Sequence, residues 1–213
     1  MIPKLVIFDC DGVLVDTELT TSQVLVTNLR TYGLVLDLDD VHTLFTGGTM
    51  MSAGEEATRR GANLPANWVT EVGAAVNLEL AKGVRVFDGV HDLLALLDAQ
   101  GVHTAIASNG PIDKMRISLG PSGLFDHFDG RIHSGRQSNP KPAPDMLLRA
   151  AALANVAPDD AIMIDDTTAG TRAADAAGMR AIGFAAASDA SSLIATGHPV
   201  ARTMPDVQKL LGF

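Results

Sequence analysis

The chain is poor in several things that would each have pointed somewhere. It has one cysteine, one tryptophan and one tyrosine in 213 residues, and aromatic side chains make up only 4% of it. A lone Cys10 excludes an internal disulfide framework and suits a reducing compartment. So few aromatics leave no obvious stacking platform for a sugar ring or a base. Positive charge is also scarce, with 16 Lys and Arg against 25 Asp and Glu and a net charge of −9. That balance argues against a nucleic-acid partner, which needs a basic face. An anionic ligand must then be drawn by local cationic groups or a bound cation rather than by the overall field. No uninterrupted apolar run reaches the roughly 18 residues of a membrane span. Met1-Ile2-Pro3-Lys4 leads directly into an apolar strand, without the regions of a secretory signal. The expectation is a cytoplasmic protein with no membrane partner, and a monomer by default. The six histidines are scattered without metal-ligand spacing, and the eight methionines read as core filler.

What is present is ordinary globular material, 46% hydrophobic and 19% charged. The chain is organised around Leu5-Val6-Ile7-Phe8, a short buried strand that stops at Asp9-Cys10-Asp11-Gly12. A buried strand end has no structural use for two carboxylates, since unpaired charge there is costly. If the backbone stays extended, Asp9 and Asp11 point to one side, and Gly12 lets the chain turn away. Paired carboxylates of this kind suit a hard cation such as Mg2+ together with an anionic substrate. Cys10 between them is either a reactive thiol or a small residue filling space behind the strand, and the second fits its type better.

From Thr17 to Lys82 the pattern is helical, with helices expected over Thr17–Tyr32, Asp37–Phe45, Met51–Arg60 and Ala66–Lys82. In the first of these, Leu19, Val24, Leu25, Leu29 and Tyr32 form the apolar stripe. Thr46-Gly47-Gly48-Thr49 reads as a break between helices. From Val86 onward helices and strands alternate. Helices are expected at Asp88–Gln100, Ile112–Leu119, Pro142–Ala154 and Thr168–Ala177, and a last one near Pro205–Leu211. Strands are expected at Val102–Ala107, Phe128–His133, Ala161–Ile164 and Arg180–Phe184. Pro142 suits the first turn of its helix. This alternation predicts an α/β fold, a Rossmann-like three-layer core with a central parallel sheet. Residues 1–16 and 85–213 form that core, and residues 17–84 are a helical insert.

In such sheets ligands bind beyond the carboxyl ends of the strands, which brings Asp9, Ser108 and Asp165-Asp166 to one rim. A hydroxyl and backbone N–H groups at Ser108-Asn109 suit an anion; an N-cap without a ligand is the alternative. Lys141 lies in Asn139-Pro140-Lys141-Pro142-Ala143-Pro144-Asp145, where three prolines fix the backbone around one ammonium. The adjacent acids Asp165 and Asp166 repel each other unless a cation or Lys141 neutralises them.

The run Asp9-Cys10-Asp11-Gly12-Val13-Leu14-Val15-Asp16 resembles the first motif, D-x-D-G-T/V-L-x-D, of the haloacid-dehalogenase-like superfamily. Ser108 at the end of an apolar strand, Lys141-Pro142 before a helix, and Asp166-Thr167 followed by Gly170, Ala173, Ala174 and Gly178-Met179 are similar to its later motifs. Thr167 stands where that family usually has Ser, and the hydroxyl is kept. The resemblance implies a Mg2+-dependent phosphatase in which Asp9 is the nucleophile and Asp11 the general acid and base. Ser108, Asn109 and Lys141 would hold the phosphoryl group. Asp9, the Asp11 carbonyl and Asp166 would hold Mg2+, with Asp165 binding it indirectly or through water. The insert would be a cap, with Thr17, Glu18, Gly47, Gly48 and Met50 near the leaving group. The wording is most similar to bacterial phosphatases of sugar phosphates and phosphorylated sugar acids such as 6-phosphogluconate.

Three alternatives compete. A metal-free haloacid dehalogenase lacks the second acid, so Asp11 and Asp166 count against it. A β-phosphoglucomutase-like phosphotransferase carries a His and an Arg where this chain has Thr21 and Met50. A catalytically silent binding module has no need of the intact set Asp9, Asp11, Lys141 and Asp166.

Overall fold

A computed structural model, which describes residues 2–45, 50–186 and 190–213, divides into two compact units, Thr17–Val84 and the combination of Met1–Asp16 with Arg85–Phe213.

The first unit is helical. It comprises α1 (Thr17–Thr31), α2 (Leu38–Phe45), α3 (Met50–Arg59) and α4 (Trp68–Leu80). Asp37 sits just before α2, and its Oδ1 accepts from the Asp40 N–H at 2.8 Å, which fixes the start of that helix. Leu25, Leu29, Val41, Ala53, Ala57, Trp68 and Val72 make the core. The indole N–H of Trp68 is satisfied inside the unit by Asn28 Oδ1 at 2.7 Å. Leu19, expected on the apolar stripe, is 47% exposed, because the buried face of α1 is set by Leu25 and Leu29 one turn apart. Gly47 and Gly48 lie outside the described residues.

The second unit is built on β1 (Leu5–Phe8), β4 (His103–Ser108), β5 (Ile132–Ser134), β6 (Ala161–Asp165), β7 (Arg180–Phe184) and β8 (Val200–Ala201). They form one sheet in the order β5-β4-β1-β6-β7-β8, and every pairing is parallel. All four residues of β1 are buried, as a central parallel strand covered on both faces requires. Leu5 and Ile7 face the helices α8 (Asp145–Ala154) and α9 (Thr168–Ala177) through Met146, Leu147, Ala150, Ala173 and Ala174. The opposite face carries α5 (Val90–Ala99), α6 (Ile112–Leu119), α7 (Leu124–His127) and α11 (Met204–Leu211), with the short α10 (Ser191–Ile194) near β7. The alanines of α9 let that helix approach the sheet closely, and Gly178 closes it in the left-handed conformation at φ 71°.

Three differences from the expected elements have clear causes. The strand placed at Phe128–His133 is confined to Ile132–Ser134; Phe128 instead ends α7 and packs its ring on Phe8, 6.2 Å between centroids. Pro142 is not in the first turn of α8, which begins at Asp145. A residue before proline is driven out of the helical region, so Lys141 and Ala143 cannot be helical and the helix starts after Pro144. The pair β2 (Val15–Asp16) and β3 (Arg85–Val86) is antiparallel and, like β8, too short to leave a periodic signal in sequence.

Candidate active site

Strands β4, β1 and β6 lie side by side, so the residues at their carboxyl ends become neighbours. Asp9 follows β1 directly, and its N–H bonds to the Ile164 carbonyl at 2.9 Å, which continues the ladder one residue past the strand. Ser108 ends β4 and Asp165 ends β6. All three side chains are buried.

Lys141 enters from the loop before α8. Its Nζ lies 2.9 Å from Asp9 Oδ1 and 2.7 Å from Asp165 Oδ2, with only 3% of the side chain exposed. Burial works to lower its pKa, but the two carboxylates outweigh that and raise it, so the ammonium stays charged. The loop is held in turn by Asn109. The Lys141 N–H donates to Asn109 Oδ1 at 2.7 Å, and Asn109 Nδ2 donates to the Lys141 carbonyl at 3.1 Å. Both main-chain groups of Lys141 are thus read by one amide.

The two acids at the end of β6 divide the work. Asp165 is completely buried, with Oδ1 accepting from the Thr167 N–H at 2.9 Å and from its hydroxyl at 2.7 Å, while Oδ2 takes Lys141. It nestles against α9 where only glycine fits, since a Cβ on Gly170 would stand 1.9 Å from Asp165 Cγ. Asp166 is the reverse case. Its Oδ1 is buried without a hydrogen-bond partner. Burial first, and repulsion from Asp9 and Asp165 second, push its carboxyl up to about 8 despite Lys141. Burial likewise pushes Asp9 up to about 6, against Lys141 and with help from Asp165.

Acceptor oxygens of Asp9, Asp165 and Asp166 lie within 4.8 Å of one another. A buried carboxylate oxygen with no donor, among acids that one lysine does not fully neutralise, fits a hard divalent cation that takes oxygen ligands. The donor set therefore suits Mg2+, with Asp9 and Asp166 as the accessible carboxylates and Asp165 already committed to Lys141 and Thr167.

Ser108 Oγ accepts from the Gly110 N–H at 3.3 Å. Ser108 and Asn109 lie before α6 rather than on its first turn, which opens at Ile112 behind Pro111. Asp11 is half-buried and meets a residue to which sequence reasoning assigned no role: Lys114 Nζ lies 2.7 Å from Asp11 Oδ2. Burial works to lower the Lys114 pKa, and Asp11 outweighs it and raises it. Cys10 is fully buried, its thiol pushed up by burial and by the flanking acids, which fits the space-filling reading. The structure thus gathers Asp9, Ser108, Lys141, Asp165 and Asp166, with Asp11 and Asn109 at their margin. Thr17 and Glu18 open α1 in the helical unit, the first buried and the second exposed.

Residues 6–184 match the family described as Haloacid dehalogenase-like hydrolase. The chain is 30% identical to the 6-phosphogluconate phosphatase of Escherichia coli (strain K12), over 96% of this chain and 91% of that one. It is 29% identical to the fructose-1-phosphate phosphatase of the same organism, over 83% and 93% respectively. Among solved structures, a HAD family hydrolase from Deinococcus radiodurans R1 with bound phosphate and sodium superposes with a TM-score of 0.86 at 27% identity. That superposition covers 98% of this chain and 94% of the other.

Proposed function

The chain belongs to the haloacid dehalogenase-like hydrolases, and from that premise we propose that it hydrolyses phosphate monoesters of small sugars or sugar acids through an aspartyl-phosphate on Asp9. The observation that carries the reading is the Lys141 ammonium lodged between Asp9 and Asp165, beside the unpaired oxygen of Asp166. A lysine so placed keeps Asp9 ionised and presents positive charge to an incoming phosphoryl group.

Asp9, Asp166 and the main-chain carbonyl of Asp11 are the groups to hold Mg2+, which when bound would neutralise charge on the carboxylates and the phosphoryl oxygens. The steps themselves belong to the side chains. An Asp9 carboxylate oxygen attacks phosphorus, and the bond from phosphorus to the ester oxygen breaks. Asp11 gives its proton to that departing oxygen. Asp11 then takes a proton from water as the water oxygen attacks phosphorus, and Asp9 is released with inorganic phosphate. Ser108, the Asn109 N–H and Lys141 bear the charge that builds on the phosphoryl oxygens. Asp165 positions Lys141. The insert of residues 17–84 is the part of the chain that we assign, from the family resemblance, to selecting the leaving group.

Relatives named for 6-phosphogluconate and fructose 1-phosphate support a sugar-derived leaving group. The test is a panel of phosphate esters, with released phosphate measured in the presence of Mg2+. Turnover concentrated on sugar phosphates or phosphorylated sugar acids is expected. Transfer of phosphate between sugar hydroxyls without release, or no phosphate released from any ester, would overturn the reading.

A further inference from the structure

We propose that Lys114 is a positioning residue for Asp11, holding its carboxylate where the ester oxygen must receive a proton. The inference rests on the phosphatase reading and adds to it a role for Lys114, which the family resemblance itself does not assign.

Three observations support it. The ion pair is close, 2.7 Å from Lys114 Nζ to Asp11 Oδ2, and each side chain is less than a third exposed. The partners are 103 residues apart in sequence, so the contact is made by the fold and not by local geometry. Second, Lys114 follows Asp113 in the first turn of α6, the positive end of the helix, where a cation is unfavourable, and its ammonium reaches out of that turn to Asp11. Third, the contact is one of a pair. One turn further along the same face of α6, Ser118 Oγ lies 4.0 Å from the sulfur of Cys10. One helix face is thus laid along Cys10-Asp11 and fixes where that loop can go.

Lys114 takes Oδ2 and so leaves Oδ1 as the oxygen that carries the proton. A Cβ on Gly110 would stand 4.0 Å from Asp11 Oδ2 and 3.6 Å from Ser108 Oγ. The turn that follows Ser108 therefore passes close to Asp11. With its ammonium engaged at Oδ2, Lys114 acts on the substrate through Asp11. When the ester bond breaks, its electron pair goes to the leaving oxygen, and the proton that pair accepts comes from Asp11. A carboxylate swung away from that line slows the step.

The experiment compares wild type, Lys114→Met and Lys114→Arg on two esters. One is the sugar phosphate that wild type turns over best, and the other is 4-nitrophenyl phosphate, whose leaving group departs without needing a proton. The parameter is kcat/KM, which reports the first chemical step. Lys114→Met is expected to lose on the order of a hundredfold on the sugar phosphate and little on the aryl ester, the range of general acid contributions. Lys114→Arg is expected to recover most of the loss. Equal loss on both esters would mean a structural prop, and a rise in KM alone would mean a substrate contact; either overturns the proposal, as does an unchanged Lys114→Met. Thermal melts of each variant identify unfolding as the cause of an equal loss. If wild type hydrolyses neither ester, the phosphatase reading fails before this one is reached.

Discussion

Gly12 passes so close to Asp166 that a Cβ on the glycine would stand 2.1 Å from Asp166 Oδ2. The turn that carries the chain out of the first acidic loop thus forms one wall around the acid that follows β6. Gly12 also has φ +76°, a conformation that costs a side-chain-bearing residue about 1 kcal/mol. Gly12→Ala is therefore expected to displace Asp166 and lower phosphatase activity by about a hundredfold or more, as misplacement of a reacting group by about 1 Å does. Kinetics of the purified variant, with a melting curve to show that it is folded, check this. Activity within a few-fold of wild type would mean that the loop and Asp166 are not held as described.

Removing the lysine is expected to be worse for stability than removing an acid. Lys141→Met leaves Asp9 and Asp165 buried together without their cation, a loss typically about 3–5 kcal/mol for a broken buried pair. Denaturant unfolding is the measurement. The double variant Lys141→Met with Asp165→Asn should recover part of that loss while staying inactive, because the charge is gone but the phosphate contact is not restored.

The acids also set a pH dependence. Asp9 and Asp166 titrate at about 6 and about 8 when folded, against an ordinary value of 3.8. Between these values the folded chain keeps protons that the unfolded chain has released. Stability of the metal-free protein therefore falls as pH rises from about 4 to about 8. Asp166→Asn is expected to flatten that slope and to raise the melting temperature near neutral pH, each pKa unit being worth about 1.4 kcal/mol. Mg2+ should stabilise wild type, by about 2.7 kcal/mol at a hundredfold excess over its dissociation constant, and the variant much less. Identical slopes in the two proteins would contradict the crowding of acids at this rim.

Asn109 offers a subtler test. Its amide holds both main-chain groups of Lys141, so Asn109→Ala removes two hydrogen bonds without touching a charge. Such bonds are worth about 0.5–1.5 kcal/mol each. A modest fall in stability and a larger fall in kcat are expected, because the ammonium is less well aimed. Asn109→Asp keeps the acceptor for the Lys141 N–H and should fall between the two. A variant that loses only stability would show that the loop positions Lys141 without this clamp.

What sequence revealed was where apolar runs stop at polar side chains. Asp9, Ser108 and Asp165 all stand at such stops, and the parallel order of β4, β1 and β6 brings them together. The helix Thr168–Ala177 was legible from its small residues and from Gly178. Contacts between distant residues left no such trace. The grip of Asn109 on the Lys141 backbone and the pairing of Lys114 with Asp11 depend on how distant segments meet, which no periodicity encodes. The division of labour between Asp165 and Asp166 was only partly visible. Two adjacent acids look alike in sequence, and what separates them is that Thr167 and Lys141 satisfy one while the other keeps an oxygen without a partner.

The most direct test of the proposed chemistry is phosphate release from a sugar phosphate by wild type and by Asp9→Asn, each with Mg2+ and with a chelator. Asp9→Asn keeps the size and burial of the side chain and removes its nucleophilic charge. The expected result is release by wild type with Mg2+ and none above background in the other three conditions. Release by Asp9→Asn, or release by wild type that the chelator leaves untouched, would contradict it.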